Sequence, residues 1–194
     1  MAAHLKDFPH HHYTLEEYFA LERVGEARYE YWDGDILCMS GGSLQHYLIC
    51  EHLRTKLAEV LRGRECQPFS GGVPIKTPTL LPYRYPNASV VCGKINVEKI
   101  NGIDVLTNPI LVVEVLSPGT EQLDKEAKRR AYQKITSLKE YLIVSQDAPH
   151  ITQYRRQGRR WVRQDFGDLK AALELTSINS QVLISDIYEG ITFD

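Results

Sequence analysis

The feature that most constrains this chain is the segment Ile110-Leu111-Val112-Val113-Glu114-Val115-Leu116-Ser117, an apolar run broken by a single carboxylate. It is short and rich in β-branched residues, which favours a strand over a helix. Apolar residues on both alternating faces predict a strand covered on both sides, as in the parallel part of a layered sheet. An ionised Glu in that setting costs on the order of several kcal/mol unless a cation, a hydrogen-bond network or a metal ion compensates it. Glu114 therefore has two readings. It is a strand-end carboxylate paired with an Arg or wetted by a cleft, or it is a functional carboxylate held in place by the fold. The rest of the chain decides between them.

The 194 residues default to one domain and are ample for a core. A net charge of -2 carries no global basic signal, so a nucleic-acid site has to be a local patch. Cys38, Cys50, Cys66 and Cys92 form no Cys-x-x-Cys pair and sit singly in apolar segments. That pattern predicts reduced, packed thiols in a cytoplasmic protein. No apolar run reaches membrane-spanning length and no signal-peptide core precedes the domain, so no membrane is expected.

Residues 1–12 read as a flexible N-terminal tail, with an incidental His10-His11-His12 run, and residues 13–194 as a single domain. Thr14-Leu15-Glu16-Glu17 is a capping box for a helix running to about Arg23 and stopped by Gly25. Asp33-Gly34 between Arg28–Trp32 and Asp35–Met39 predicts a hairpin, with Glu30 as a cross-strand charge. Ser43 caps a second helix, Leu44 to Arg62, whose first turn carries His46 as a surface or capping residue. Short strands follow at 65–69, 72–76 and 88–92, then a polar, loop-like stretch at 94–109 with a tip at Asn101-Gly102.

Beyond Pro118-Gly119 a helix is expected from about Thr120, with Leu123, Ala127, Ala131 and Ile135 on its apolar face. Asp124, Lys128 and Tyr132 repeat at i, i+4, i+8 and form a second stripe beside it. A crossover to the next strand, Glu140–Val144, can aim that stripe at the sheet face carrying Glu114. A hairpin about Gly158 follows, dense in Arg155, Arg156, Arg159, Arg160 and Arg163. It is either a guarded edge or a phosphate-binding surface. A short strand near 172–175 and a closing turn or helix near 182–187 complete the chain.

The element order predicts an α/β (α+β) fold, a mixed β-sheet core flanked by helices. A carboxylate-bearing strand with a nearby Lys is a layout for metal-dependent phosphodiester hydrolysis, in which oxygen ligands hold Mg²⁺ or Mn²⁺ and an ammonium stabilises developing charge.

Several segments, in order, resemble a large bacterial family of restriction-endonuclease-like proteins within the PD-(D/E)XK nuclease superfamily. They are Tyr13-Thr14-x-x-Glu17, Arg28-Tyr29-Glu30 before Asp33-Gly34-Asp35, the helix near His46, and Tyr85-Pro86-Asn87-Ala88-Ser89-Val90-Val91. Val113-Glu114-Val115-Leu116-Ser117-Pro118, Asp124-x-x-x-Lys128-x-x-x-Tyr132 and Glu140–Val144 continue the set. The resemblance spans about residues 13–190 and implies a restriction endonuclease-like fold acting on DNA with Mg²⁺ or Mn²⁺. It implies Glu114 as the acidic metal ligand, and Lys128 as the lysine displaced from the half-motif, where Leu116 stands. Glu30 becomes an outer acidic residue, and Asn87 stands at the metal-ligand position of the PD half-motif. Lys125, Arg129, Arg155 and Arg156 are the expected nucleic-acid contacts, and a homodimer is expected.

Asn87 departs from the pattern, because the half-motif calls for Asp. A neutral amide oxygen removes a full negative charge from a hard-cation site. The chain is then an impaired Mg²⁺-dependent DNA endonuclease, a catalytically inactive nucleic-acid-binding or dimeric interaction protein with a nuclease fold, or a protein in which Asn87 is an introduced change.

Overall fold

The computed structural model describes residues 11–24, 27–39 and 42–193. The expected tail lies outside these residues except for His11 and His12, and so does the expected stop at Gly25. The chain divides into two compact units between residues 40 and 41. No helix among the described residues is long and apolar enough to cross a membrane.

The first unit holds α1 (Leu15–Val24) and a hairpin of β1 (Tyr29–Trp32) and β2 (Asp35–Cys38). The capping box forms reciprocally: the Thr14 N–H donates to Glu17 Oε2 at 2.8 Å, and the Glu17 N–H donates to Thr14 Oγ1 at 3.2 Å. Asp33 and Gly34 both have positive φ, 47° and 93°, as a primed two-residue turn requires. Tyr18 is fully buried and donates its hydroxyl to Tyr29 O at 2.8 Å, and Glu22 Oε1 accepts the Tyr29 N–H at 2.7 Å.

The second unit is built on a six-stranded mixed sheet of order β10-β9-β8-β7-β4-β3. Its strands are β3 (Cys66–Ser70), β4 (Ala88–Cys92), β7 (Leu111–Val115), β8 (Glu140–Val144), β9 (Ile151–Gln157) and β10 (Arg160–Phe166). β7 and β8 are parallel, and every other neighbouring pair is antiparallel. All five residues of β7 are buried, as its composition predicted. Its side chains alternate between two apolar layers. Leu111, Val113 and Val115 join one core with Ile49, Leu53 and Leu57 of α2 (Leu44–Val60). Val112 and Leu116 join the other, with Tyr132, Ile135 and Leu138 from the crossover between β7 and β8. Glu114, between Val112 and Leu116, faces this second layer.

The crossover is not the uniform helix expected from its spacing. It runs as α3 (Glu121–Leu123), a π-helical turn (Asp124–Lys128) and α4 (Arg129–Tyr132). The wide turn carries Asp124 and Lys128 of the polar stripe, while Tyr132 falls in α4, and π segments inserted in helices recur at functional sites.

Three local expectations are corrected. The stretch at 94–109 is a second hairpin, β5 (Val97–Ile100) and β6 (Ile103–Leu106), turning at Asn101-Gly102. Its first strand is largely exposed, so it lacks the apolar alternation that marks a half-buried strand. The expected strand at 72–76 reduces to isolated bridges from Ile75 to Arg84 and to Leu106. Cys66 and Cys92 are not free thiols: they face each other across β3 and β4 and form a disulfide. Cys38 and Cys50 are free. β11 (Ala172–Leu175), β12 (Ser180–Leu183) and α5 (Ile184–Ile187) close the first core.

Candidate functional site

The end of β7 where its parallel pairing with β8 finishes gathers polar side chains from three elements. Carboxyl ends of parallel strands are where sheets of this kind offer a crevice. Glu114 is 2% exposed, and Lys128 and Asp124 are each 1% exposed. Lys128 Nζ lies 3.4 Å from Glu114 Oε1 and 3.1 Å from Asp124 Oδ1. The Tyr132 hydroxyl donates to Glu114 Oε1 at 3.0 Å, and the Thr120 hydroxyl to Asp124 Oδ2 at 2.8 Å. Tyr141 of β8 donates to Asp124 O at 2.9 Å, fixing the π turn to the sheet. Its phenol is held well above its ordinary pKa by burial, with Glu114 and Asp124 adding to the effect, so it stays a donor. The expected stripe of Asp124, Lys128 and Tyr132 thus meets Glu114 on one face of the sheet.

On the approach to β4, Asn87 Oδ1 accepts the Val115 N–H at 2.7 Å. Its Nδ2 faces His46 Nε2 at 3.4 Å, and the same His46 nitrogen lies 3.2 Å from Val115 O. His46 is set by its helix start: its backbone N–H donates to Ser43 Oγ at 3.0 Å, and Ser43 Oγ donates to Gln146 Oε1 at 2.8 Å. Desolvation lowers the His46 pKa. Cys50, one turn on, has its Sγ 3.8 Å from His46 Nδ1. Burial and then the charge of Glu114 push its thiol up to about 12.

Sequence reasoning passed over His46 and Tyr141 as members of this group. Asp124 was visible as part of the stripe. His46 had no local signal, because its neighbours Asn87 and Val115 are brought to it only by the packing of α2 on the sheet. Glu30 belongs to the first unit, where it is buried and accepts the Trp32 indole N–H at 3.2 Å.

The basic residues divide by partner. Lys125 pairs with Glu121, and Arg129 donates to Lys125 O at 2.9 Å while lying 5.2 Å over the Tyr154 ring. Arg155 donates to Gln164 Oε1 at 3.1 Å. Arg156 donates to the carbonyls of Leu138, Gln133 and Ile135 at 2.7–2.8 Å and lies 4.7 Å over Trp161. It therefore closes the end of the crossover. Arg159 and Arg160, at the hairpin tip, are exposed.

The donor set decides whether the centre suits a divalent cation. A hard cation seeks several oxygen ligands with anionic charge among them. Among the described residues, no group of three or more His, Cys, Asp or Glu side chains is placed to hold a metal ion. Glu114 and Asp124 already serve Lys128 and hydroxyl donors, and Asn87 brings a neutral oxygen engaged by a backbone N–H. These residues do not fit a resident Mg²⁺ or Mn²⁺.

Comparison with known proteins bears on the family and the fold. The model of the Uma2 family, described as "Putative restriction endonuclease", matches residues 15–183. The chain is 32% identical to the uncharacterized protein slr1290 of Synechocystis sp. over 194 residues, covering 100% of both chains. It is 26% identical to the uncharacterized protein sll1609 of the same organism over 164 residues, 84% of this chain and 92% of the other. A crystal structure described as a putative nuclease belonging to DUF820, from Anabaena variabilis, superposes with a TM-score of 0.67 at 19% identity. The match covers 84% of this chain and 90% of that one, and it shows a shared fold.

Proposed function

The chain belongs to the Uma2 family of putative restriction endonucleases, and on that premise we propose that it is a DNA endonuclease by architecture whose hydrolytic centre is throttled at Asn87. The observation that carries this reading is the burial of Glu114 against Lys128 beside the Asn87 end of β4. An ammonium held among carboxylates in a dry site is a strong electrostatic element, available to stabilise charge developing on a phosphate oxygen. Glu114 is the acidic residue of the centre and Lys128 its cation. Lys125 and Arg129, on the same crossover, supply backbone contacts to DNA, joined by the exposed Arg159 and Arg160 at the hairpin tip. Divalent-metal assistance, the chemistry expected of this fold, is withheld for want of an anionic oxygen at position 87.

The test is plasmid cleavage with Mg²⁺ and then Mn²⁺ by the protein, by Asn87→Asp, and by Asn87→Asp combined with Glu114→Ala as the blank. The expected outcome is cleavage by Asn87→Asp at least about tenfold faster than by the protein, lost in the blank. Equal cleavage by the protein and Asn87→Asp would show that position 87 is no throttle. Cleavage by neither, with salt-sensitive DNA binding retained, would replace the nuclease reading with that of a nucleic-acid-binding module.

A further inference from the structure

The Cys66–Cys92 disulfide lies at one end of the β3–β4 ladder, where the two cysteines stand directly opposite each other. Both are partly buried against the core that α2 covers. An open groove of about 440 Å³ runs past the bridge, walled by Arg64, Glu65, Cys66, Gln67, Gly93 and Lys94. Cys92 is not among its walls. A small molecule entering the groove therefore meets Cys66 first.

The groove is positive on balance, with Arg64 and Lys94 against one acid, Glu65. Arg64 is held in place: its Nη1 donates at 2.9 Å to Ile178 O, Asn179 O and Ser180 Oγ. The backbone beside Lys94 is fixed by Asn108 Nδ2, which donates to Lys94 O at 2.9 Å. Disulfides that solvent reaches are the ones open to exchange, and the attacking species is a thiolate. We propose that this groove is a docking site for small anionic thiols, which open the bridge at Cys66 and leave Cys92 as the resolving cysteine. The incoming thiolate sulfur bonds to Cys66 Sγ, the Cys66–Cys92 bond breaks, and its electron pair leaves on Cys92 Sγ, which takes a proton from water. Cys92 stays close, because the β3–β4 ladder and the Gly93 N–H donating to Glu65 O at 2.6 Å hold the two strand ends together. It can then re-form the bridge by expelling the thiol. Alternatively a second thiolate attacks the sulfur of the bound thiol, which frees Cys66 and yields the external disulfide. Two thiols are oxidised and one bridge is reduced. The inference is independent of the reading of the Glu114 centre.

The test uses the full chain carrying Cys38→Ser, which removes the exposed free thiol. Three thiols are compared at low and high salt: anionic glutathione, neutral 2-mercaptoethanol and cationic cysteamine. Each rate is taken per thiolate and divided by that of the same thiol on a small neutral disulfide. Acid quenching, alkylation and peptide mass mapping locate the mixed disulfide. The expected result is glutathione on Cys66 with Cys92 free, formed at least about threefold faster than the cysteamine adduct at low salt, with the preference fading at high salt. Lys94→Glu should reverse the preference. Attachment to Cys92, a preference for cysteamine, or a preference indifferent to Lys94→Glu would each overturn the proposal, as would two free thiols at Cys66 and Cys92 in the air-exposed protein. Should the bridge re-close too fast for the adduct to be trapped, glutathione disulfide is applied to Cys92→Ser and to Cys66→Ser. Faster modification of Cys66 in the first than of Cys92 in the second is expected, and the reverse order would refute the docking site.

Discussion

Lys128 Nζ stands 3.4 Å from Glu114 Oε1 with both side chains almost wholly out of solvent, so neither residue can be altered without leaving the other's charge buried. Asp124, 3.1 Å from the same ammonium, makes the group one cation among two carboxylates. Removing one partner of a buried pair is far costlier than removing both, because the survivor is left uncompensated. Lys128→Met is therefore expected to destabilise the protein by about 3–5 kcal/mol. Lys128→Met/Glu114→Gln should lose less than Lys128→Met alone. Urea unfolding of the two variants and of Glu114→Gln measures the coupling, and strict additivity would contradict it.

Glu140 is the second buried carboxylate of the parallel pair, and it separates structure from function. It begins β8 beside Leu111 and is fully buried. Its oxygens accept from the Thr176 N–H at 3.0 Å, the Thr176 hydroxyl at 2.9 Å, the Ser177 N–H at 3.0 Å and Gln153 Nε2 at 3.2 Å, and from the Ser177 hydroxyl. These donors tie β11 and the following turn to the sheet. Glu140→Gln replaces one acceptor oxygen by a donor and is expected to lower stability by about 1–3 kcal/mol. In the Asn87→Asp background it should leave any cleavage unchanged per folded molecule, whereas Glu114→Gln should abolish it. Thermal melts alongside the plasmid assay read both effects.

The two free thiols should differ sharply in reactivity. Cys38 is exposed, while burial drives the Cys50 thiol up to about 12, which starves it of thiolate. At pH 8 an aromatic disulfide reagent should label Cys38 quickly and Cys50 only after denaturant is added. Rapid labelling of both in the native protein would show that α2 opens from the sheet.

The Cys66–Cys92 bridge joins residues 26 apart in sequence and fastens the edge strand β3 to β4. A loop of that size gives about 3.5 kcal/mol of stabilisation through the unfolded chain. Reduction, or Cys66→Ser/Cys92→Ser, should lower the urea midpoint accordingly. An unchanged midpoint would mean that β3 is held by its ladder alone.

Arg156 is expected to act on stability and the hairpin tip on DNA. Arg156→Ala leaves the carbonyls of Gln133, Ile135 and Leu138 without their shared donor and should cost about 2–3 kcal/mol. Arg159→Ala/Arg160→Ala should leave the melt unchanged, weaken DNA binding and flatten its salt dependence. Fluorescence anisotropy at two salt concentrations distinguishes them.

What the sequence determined by itself was local. The Thr14–Glu17 capping box, the Asp33-Gly34 hairpin, the doubly buried strand around Glu114 and the Asp124–Lys128 stripe each depend on residues a few positions apart. Propensity, turn chemistry and periodicity act over that range. The β5–β6 hairpin was hidden because its first strand, largely solvated, carries no apolar alternation. Only tertiary structure decided the rest. It set the register that puts Cys66 opposite Cys92, the π turn that seats Lys128 between two carboxylates, and the docking of α2 that brings His46 to Asn87 and Val115. The disulfide and the His46 contacts join residues 26 to 69 positions apart. At such separations the geometry comes from packing two apolar layers on one sheet, which no local pattern encodes.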